Sequence, residues 1–176
     1  HHQEMLREEM NERYEDLLFH RQRKVARESG RALQVVVCDE LAYYLTLPDR
    51  KQRAEFAELL RDLVSRGRAA GIVVIAATQK PGSDIVPTAL RDLFGFRWAM
   101  RCNTPQASDT ILGGGWATLG HSAAQIPGGL RGVGLLLAEE SEPVRLRSYY
   151  LDDQAIDSIA ARAKRGKQSV DLGYEA

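Results

Sequence analysis

Two adjacent carboxylates, Asp39 and Glu40, directly follow the apolar run at residues 33–38. A continuous β-branched run of this length is typical of a strand that is buried on both faces, as in a parallel sheet. Such a strand can hold its first carboxylate near a Mg²⁺ ion while the second polarises a water molecule for attack on a phosphate. Acids end many strands, so this pair by itself leaves open whether the site is catalytic.

A second polar pair, Thr78 and Gln79, follows the apolar run at residues 72–77. Because the carboxyl ends of parallel strands meet at one edge of a sheet, we expect Gln79 to lie beside Glu40. A neutral amide there can orient the attacking water or detect the γ-phosphate of a nucleotide. The alternative is an ordinary turn that precedes Pro81. Together the two pairs favour the Walker B arrangement of P-loop nucleoside-triphosphatases.

Hydrophobic periodicity predicts the elements that position these pairs. Helices are expected over residues 3–29, 52–70, 87–94 and 105–112, and a terminal helix from 152 or 153 to about 164. Further strands are expected over residues 96–102, 133–138 and 144–151. Strands alternating with helices predict an α/β fold with a mainly parallel sheet. We expect one domain over residues 1–165 and a polar tail over 166–176.

The composition excludes several classes of protein. The 176 residues contain 24 Lys and Arg against 24 Asp and Glu, so contact with nucleic acid must come from local patches. No apolar run approaches the roughly 18 residues that a membrane span needs. Cys38 and Cys102 lie in strand-like runs, which favours a reduced cytosolic setting over a disulfide framework.

Several motifs, taken in order, resemble the FtsK/SpoIIIE family of DNA-translocating ATPases. They are Val-Val-Val-Cys-Asp-Glu-Leu-Ala (35–42), Arg-Gly-Arg-Ala-Ala-Gly-Ile (66–72), Ala-Ala-Thr-Gln-Lys-Pro (76–81) and Asp-Thr-Ile-Leu-Gly (109–113). The similarity runs from Glu9 to the terminal helix. Residues 115–127, with Arg-Gly-Val-Gly (131–134) after them, look most like the actinobacterial conjugation branch, whose members move double-stranded DNA between cells.

The resemblance implies a RecA-like motor domain that binds ATP and Mg²⁺. Such domains usually form a ring of six subunits around double-stranded DNA. By residue matching, Asp39 would hold Mg²⁺ through water and Glu40 would be the catalytic base. Gln79 would detect the γ-phosphate, with Thr78 beside the nucleotide.

The resemblance also suggests an arginine that reaches the nucleotide of a neighbouring subunit. Arg97, at the start of the third predicted strand, is the choice for this finger, and Arg91, Arg101 and Arg68 remain alternatives. Lys80 stands where an arginine is more usual, which leaves its role open.

The chain contains no G-x-x-x-x-G-K-[ST] phosphate-binding loop. Residues 113–115 lack a following Lys-Ser/Thr, and residues 128–134 contain no lysine. The resemblance places that loop upstream of residue 3. We therefore expect the Walker B half of a motor core, inactive as an ATPase on its own. The start at His1, without Met, favours a piece of a longer protein and leaves open whether the two histidines remain from a tag.

Two other functions stay open. A type VII secretion ATPase shares the motor core but moves proteins, and a non-hydrolysing module would keep the fold for ring assembly alone. The family usually carries membrane segments upstream, which would make this chain the cytoplasmic domain of a membrane-anchored protein.

Overall fold

The computed structural model describes residues 2–139 and 141–171. Within these ranges the chain forms six α-helices and five strands. The helices are α1 (His2–Phe19), α2 (Leu41–Leu45), α3 (Arg50–Arg66), α4 (Thr88–Arg91), α5 (Pro105–Leu112) and α6 (Asp153–Asp171). The strands are β1 (Gln34–Cys38), β2 (Ile72–Ala76), β3 (Phe96–Met100), β4 (Val133–Ala138) and β5 (Val144–Arg147).

The strands β1 and β2 form a parallel pair, as the two apolar runs predict. Cys38 lies opposite Ala76, so both strands end at the same edge of the sheet. Helices α1 and α3 cover one face of this pair. The packed side chains there include Met10, Leu59, Leu63, Val36 and Val74.

The opposite face of the β1–β2 pair is open. Val35, Val37, Val73 and Ile75 all project from it and are between 44% and 67% exposed. The expectation that these strands are buried on both faces is therefore wrong for the described residues. Continuous apolar runs show that a strand can be buried on both faces, but the packing elements decide whether it is.

The strands β3, β4 and β5 form a second, antiparallel sheet. Residues 139–143 join β4 to β5, and a link this short cannot make the crossover that a parallel pair requires. The predicted α/β class is confirmed, but a parallel pair and an antiparallel triplet take the place of one mainly parallel sheet. Helix α5 and a 3-10 turn at Ala123–Gln125 cover one face of the second sheet.

Helix α1 ends at Phe19, ten residues before the predicted end at residue 29. Arg21 adopts a left-handed conformation with φ of 54°. The amide of Gln22 donates to the Leu17 carbonyl at 2.8 Å, and the Arg21 amide donates to Leu18 at 3.1 Å. These are the two bonds of a Schellman motif, which usually places glycine where Arg21 stands. The prediction missed the helix end because Arg21 gives no such signal.

Helix α3 begins two residues before its predicted start at 52 and ends four residues before its predicted end at 70. The Asp49 carboxylate accepts from the amides of Lys51 at 2.8 Å and Gln52 at 3.2 Å, which begins α3 at Arg50. The amide of Gly67 donates to Leu63 at its end. Helix α6 continues to Asp171, past the boundary expected at residue 165. Residues 172–176 of the expected tail lie outside the described residues.

Candidate functional site

The carboxyl edge of the β1–β2 pair brings the two predicted polar pairs together. Beyond the last paired residues, the Ala77 amide donates to the Cys38 carbonyl and the Leu41 amide donates to the Ala77 carbonyl, both at 2.8 Å. These bonds extend the ladder into the loops and hold the segment after β1 beside the segment after β2. The adjacency of Glu40 and Gln79 that the sequence predicts is thus present in the fold.

The Glu40 carboxylate receives three hydrogen bonds. The Thr78 hydroxyl donates to Oε1 at 2.6 Å, and the Ala42 amide donates to the same oxygen at 3.1 Å. The Gln79 amide donates to Oε2 at 3.1 Å. Glu40 is the N-cap of α2, so its side chain is fixed both by the start of that helix and by the segment after β2. The side chain of Gln79 is exposed at this edge.

These donors hold the pKa of Glu40 below its usual range. The bond from Thr78 contributes most, followed by the amide of Gln79, with smaller contributions from the amide of Ala42 and the charge of Lys80. A carboxylate oxygen accepts about two hydrogen bonds. Oε1 already has two donors, whereas Oε2 has one. Oε2 therefore keeps an acceptor position for a water molecule.

Unlike the Glu40 carboxylate, the Asp39 carboxylate is exposed and has no hydrogen-bond or ion-pair partner among the described residues. No group of three or more His, Cys, Asp or Glu in these ranges forms a metal cluster. Mg²⁺ does not need one, because it typically keeps several waters and binds one or two carboxylates together with substrate phosphates. A free carboxylate at this edge fits that mode of binding.

Arg97 lies on β3, in the second sheet, whereas Asp39 and Glu40 follow β1 in the first. Its guanidinium lines an open groove of about 530 Å³ together with Asp92, Phe94, Gly95 and Glu139. Its Nη1 donates to Asp92 at 3.3 Å, while its buried Nε has no partner. Burial lowers the pKa of Arg97, against the opposing charge of Asp92, but an arginine stays charged at neutral pH.

Arg91 shares the same carboxylate. Its Nε donates to Asp92 at 3.2 Å, and its Nη1 donates to the Thr110 carbonyl. The other two alternatives are more exposed: Arg68 is bonded to Glu139 at 2.5 Å, and Arg101 lies at the surface. Asp92 therefore lies between two arginines, while Glu139, the second carboxylate of the groove, is paired with Arg68.

Curated proteins similar to this chain are named DNA translocase FtsK. That of Pseudomonas aeruginosa is 30% identical over 128 residues, and that of Bacillus cereus is 29% identical over 126. Each match covers 71% of this chain and 14% of the relative. The resemblance to the FtsK/SpoIIIE family is confirmed. The FtsK of Lactococcus lactis agrees, at 29% identity over 135 residues, 75% of this chain and 16% of its own.

Two solved structures share the fold of this FtsK-like chain. The pCW3 conjugation coupling protein TcpA, solved in its monomer form with ATPgS, matches 86% of the chain with a TM-score of 0.71 at 21% identity. The cytoplasmic domain of the Thermomonospora curvata type VII secretion ATPase EccC matches 82% with a TM-score of 0.62 at 23% identity. The matches cover 44% and 17% of those chains. The expected RecA-like α/β fold class is thereby confirmed.

No protein-family model matches the chain. Among the helices that the structure describes, none has the length and hydrophobicity to cross a bilayer.

The sequence did not indicate the importance of two residues, Asp92 and Arg13. An acid next to Arg91 in the sequence predicts only an ordinary surface ion pair, so Asp92 gave no signal of its own. Arg13 was not singled out either, since its neighbour Glu9 at i−4 predicts a helix-surface ion pair. Only the tertiary structure shows that Arg13 is buried and that Asp92 lies between two arginines.

Proposed function

We propose that this chain is the Walker B half of an ATP-driven motor that translocates double-stranded DNA, in conjugal transfer or in chromosome or plasmid movement. The observation that carries the proposal is the Glu40 carboxylate, held by Thr78 and Gln79 beside a free Asp39. Similarity to DNA translocases over 71% of the chain supports the choice of substrate.

The proposed roles follow from the acceptor positions at the sheet edge. Asp39 would bind the water shell of Mg²⁺, which when bound neutralises charge on the phosphates. Glu40 would hold the attacking water at Oε2, the oxygen with a free acceptor position. The exposed amide of Gln79 would contact the γ-phosphate, and the backbone that carries it already contacts Glu40.

The lowered pKa of Glu40 indicates how this residue would act. A group with a pKa well below the operating pH is a poor general base, because it has little tendency to take up a proton. Phosphoryl transfer depends mostly on positioning and electrostatic stabilisation, so a permanently charged carboxylate suits the reaction. We therefore propose that Glu40 mainly orients and polarises the water. The main role of Thr78 would be to fix the Glu40 carboxylate, and contact with the nucleotide would be secondary.

The remaining proposals concern the assembly. Arg97 would act in trans on the nucleotide of a neighbouring subunit. The subunits would be copies of this chain in a ring, and the family resemblance suggests six of them. Contact with DNA would be mostly to phosphates and therefore sensitive to salt. The motor would work on the cytoplasmic side of a membrane to which a longer protein is anchored.

A second candidate function has its own support. The EccC structure has the same fold with a TM-score of 0.62, which favours a secretion ATPase that moves proteins. Salt-dependent binding of duplex DNA would support the DNA motor, and its absence at low salt would support the secretion ATPase. A non-hydrolysing ring module is the weakest candidate, because such a module has no need of the three hydrogen bonds on Glu40.

The proposed activity is tested by Glu40→Gln in the full-length protein. We expect ATP turnover to fall by about 100-fold or more while nucleotide binding stays close to wild type. The amide preserves size and one acceptor oxygen but removes the charge that polarises the water. Phosphate release and nucleotide titration calorimetry measure the two quantities.

Glu58→Gln is the matched control, since Glu58 is exposed on α3 and forms only a surface ion pair with Arg7. It should leave turnover unchanged. Equal losses of binding and turnover in Glu40→Gln would contradict the role of Glu40 in the chemical step.

A further inference from the structure

The end of α1 displays apolar and cationic side chains side by side. Leu18 and Phe19, in the last turn of the helix, are 77% and 84% exposed. The ten residues 18–27 contain four Lys or Arg and no acid. We call residues 18–24, with Leu18, Phe19, Arg21, Arg23 and Lys24, the α1 tip.

The three cations of the α1 tip are free. Arg21, Arg23 and Lys24 are exposed and make no side-chain hydrogen bond or ion pair with any described residue. The nearest helical acid, Asp16, is already bonded to Arg31 at 3.0 Å and lies 3.3 Å from His20. The charge of the α1 tip is therefore not neutralised by any residue that the structure describes.

The backbone presents these side chains in a defined shape. Arg21 takes the left-handed position of the Schellman motif, where glycine is favoured because it has no Cβ. Beyond it, the Val25 amide donates to the Ala69 carbonyl at 2.8 Å and ties the segment to the residues before β2.

We propose that the α1 tip is a docking surface for an anionic lipid bilayer. Unpaired cations attract the anionic headgroups, and Leu18 and Phe19 can enter the boundary between headgroups and acyl chains. Nucleic acid would use the cations but not Leu18, because a phosphate backbone offers no apolar region. The combination of unpaired cations and largely exposed apolar side chains favours the bilayer.

The position of the α1 tip leaves the candidate nucleotide site accessible. Ala69 precedes β2, so the tip lies at the amino edge of the β1–β2 pair, whereas Glu40 and Thr78 lie at its carboxyl edge. Strands of five residues separate the two edges by roughly 16 Å. The bilayer contact is thus independent of the proposed ATPase activity.

The test is co-sedimentation of the 176-residue chain with vesicles, without nucleotide. We expect binding at low salt to vesicles of phosphatidylglycerol and phosphatidylcholine in a 3:7 ratio, and none to pure phosphatidylcholine. The variant R21Q/R23Q/K24Q should bind about 100-fold more weakly, since each cation near an anionic surface contributes about fivefold. The variant L18S/F19S should bind about tenfold more weakly. Circular dichroism confirms that the variants, changed only at exposed side chains, remain folded.

Two matched controls should bind like the wild type. R131Q/R145Q/R147Q removes three exposed arginines elsewhere, and I156S/I159S removes two exposed apolar side chains of α6. Failure of the wild type to sediment with anionic vesicles would overturn the proposal. So would undiminished binding of either α1-tip variant, or a loss of duplex DNA binding in R21Q/R23Q/K24Q with vesicle binding intact, which would make the tip a nucleic-acid surface.

Discussion

Glu40 is the residue whose surroundings say most about the chemistry of this chain. A single exposed carboxylate at a strand end would titrate and rotate freely. Here a hydroxyl and two backbone amides fix both oxygens, and the amide of Lys80 in turn donates to the Thr78 hydroxyl at 3.1 Å. The result is a charged, oriented group with one open acceptor position, which is the preorganisation that phosphoryl transfer requires.

Replacing Thr78 by Val tests this arrangement through the pKa of Glu40. The Thr78 hydroxyl is the largest cause of the lowered pKa, so Thr78→Val should raise the Glu40 pKa toward its usual range. Because the folded pKa is lowered, the contribution of Glu40 to stability is present above the usual range and is lost as pH falls through the folded pKa. The variant should therefore lose less stability on acidification than the wild type. Carboxyl-carbon NMR titration gives the pKa directly.

Thr110→Val is the control for that titration. The Thr110 hydroxyl bonds only to the Gln106 carbonyl within α5, so this variant should not move the pKa of Glu40. An unchanged Glu40 pKa in Thr78→Val would show that the hydroxyl does not stabilise the carboxylate.

At the scale of the elements, one buried arginine ties α1 to the start of the β1–β2 pair. Arg13 is only 7% exposed. Its Nη1 donates to the carbonyls of Ala32 at 3.0 Å and Ala70 at 3.2 Å, and its Nε donates to Glu9 at 2.6 Å. These carbonyls belong to the segments that lead into the two strands, so Arg13 joins three elements at the amino edge.

Removing this arginine should destabilise the fold. Arg13→Leu fills the buried position with an apolar side chain but leaves two carbonyls and the Glu9 carboxylate without their donor. We expect a loss of about 3 kcal/mol in the free energy of unfolding. Urea denaturation measures it, with Arg7→Leu as the control at about 0.5 kcal/mol or less, since Arg7 forms only an exposed ion pair. Equal effects of the two substitutions would contradict the anchoring role of Arg13.

At the scale of the whole molecule, both sheets leave an apolar face open. On the second sheet Phe96, Trp98, Met100, Val144 and Leu146 are each at least 43% exposed. The register of β3, β4 and β5 places these side chains on the face opposite the core of that sheet. Contiguous apolar faces of this kind are typical of surfaces that pack against further protein.

The isolated 176-residue chain should not act as an ATPase. In the proposed site Asp39, Glu40 and Gln79 would contact only the metal and the γ-phosphate, whereas tight nucleotide binding in P-loop enzymes depends on a lysine-bearing loop that this sequence lacks. Calorimetric titration with Mg-ATP and a phosphate-release assay should show no turnover and binding far weaker than that of an intact motor. Micromolar affinity or steady turnover would mean that these residues form a phosphate site by themselves.

Assembly should decide whether Arg97 acts on a neighbouring subunit. Full-length subunits carrying Arg97→Ala and subunits carrying Glu40→Gln are each expected to be inactive alone. Mixed rings contain interfaces with an intact Glu40 and an intact Arg97, and an arginine finger can contribute roughly 10³-fold in rate, so activity should partly return. If subunits exchange but activity does not return, Arg91, Arg101 or Arg68 takes the role.

The sequence by itself determined the strands and the residues of the sheet edge. Apolar β-branched runs ending in Asp39-Glu40 and Thr78-Gln79 predicted two parallel strands with their polar ends together, because both signals are local in the chain. The register and the bond from Gln79 to Glu40 agree with that prediction. Helix α3 lies within four residues of its predicted bounds for the same reason.

Only the tertiary structure decided how those pieces meet. The antiparallel pairing of β3 with β4, the open faces of both sheets, and the bonds from Arg13 to Ala32 and Ala70 depend on contacts between distant segments. The left-handed Arg21 ended α1 early although its residue type predicts continuation. A hydrogen bond such as that from Thr78 to Glu40 joins residues 38 positions apart, and no local preference encodes which oxygen it reaches.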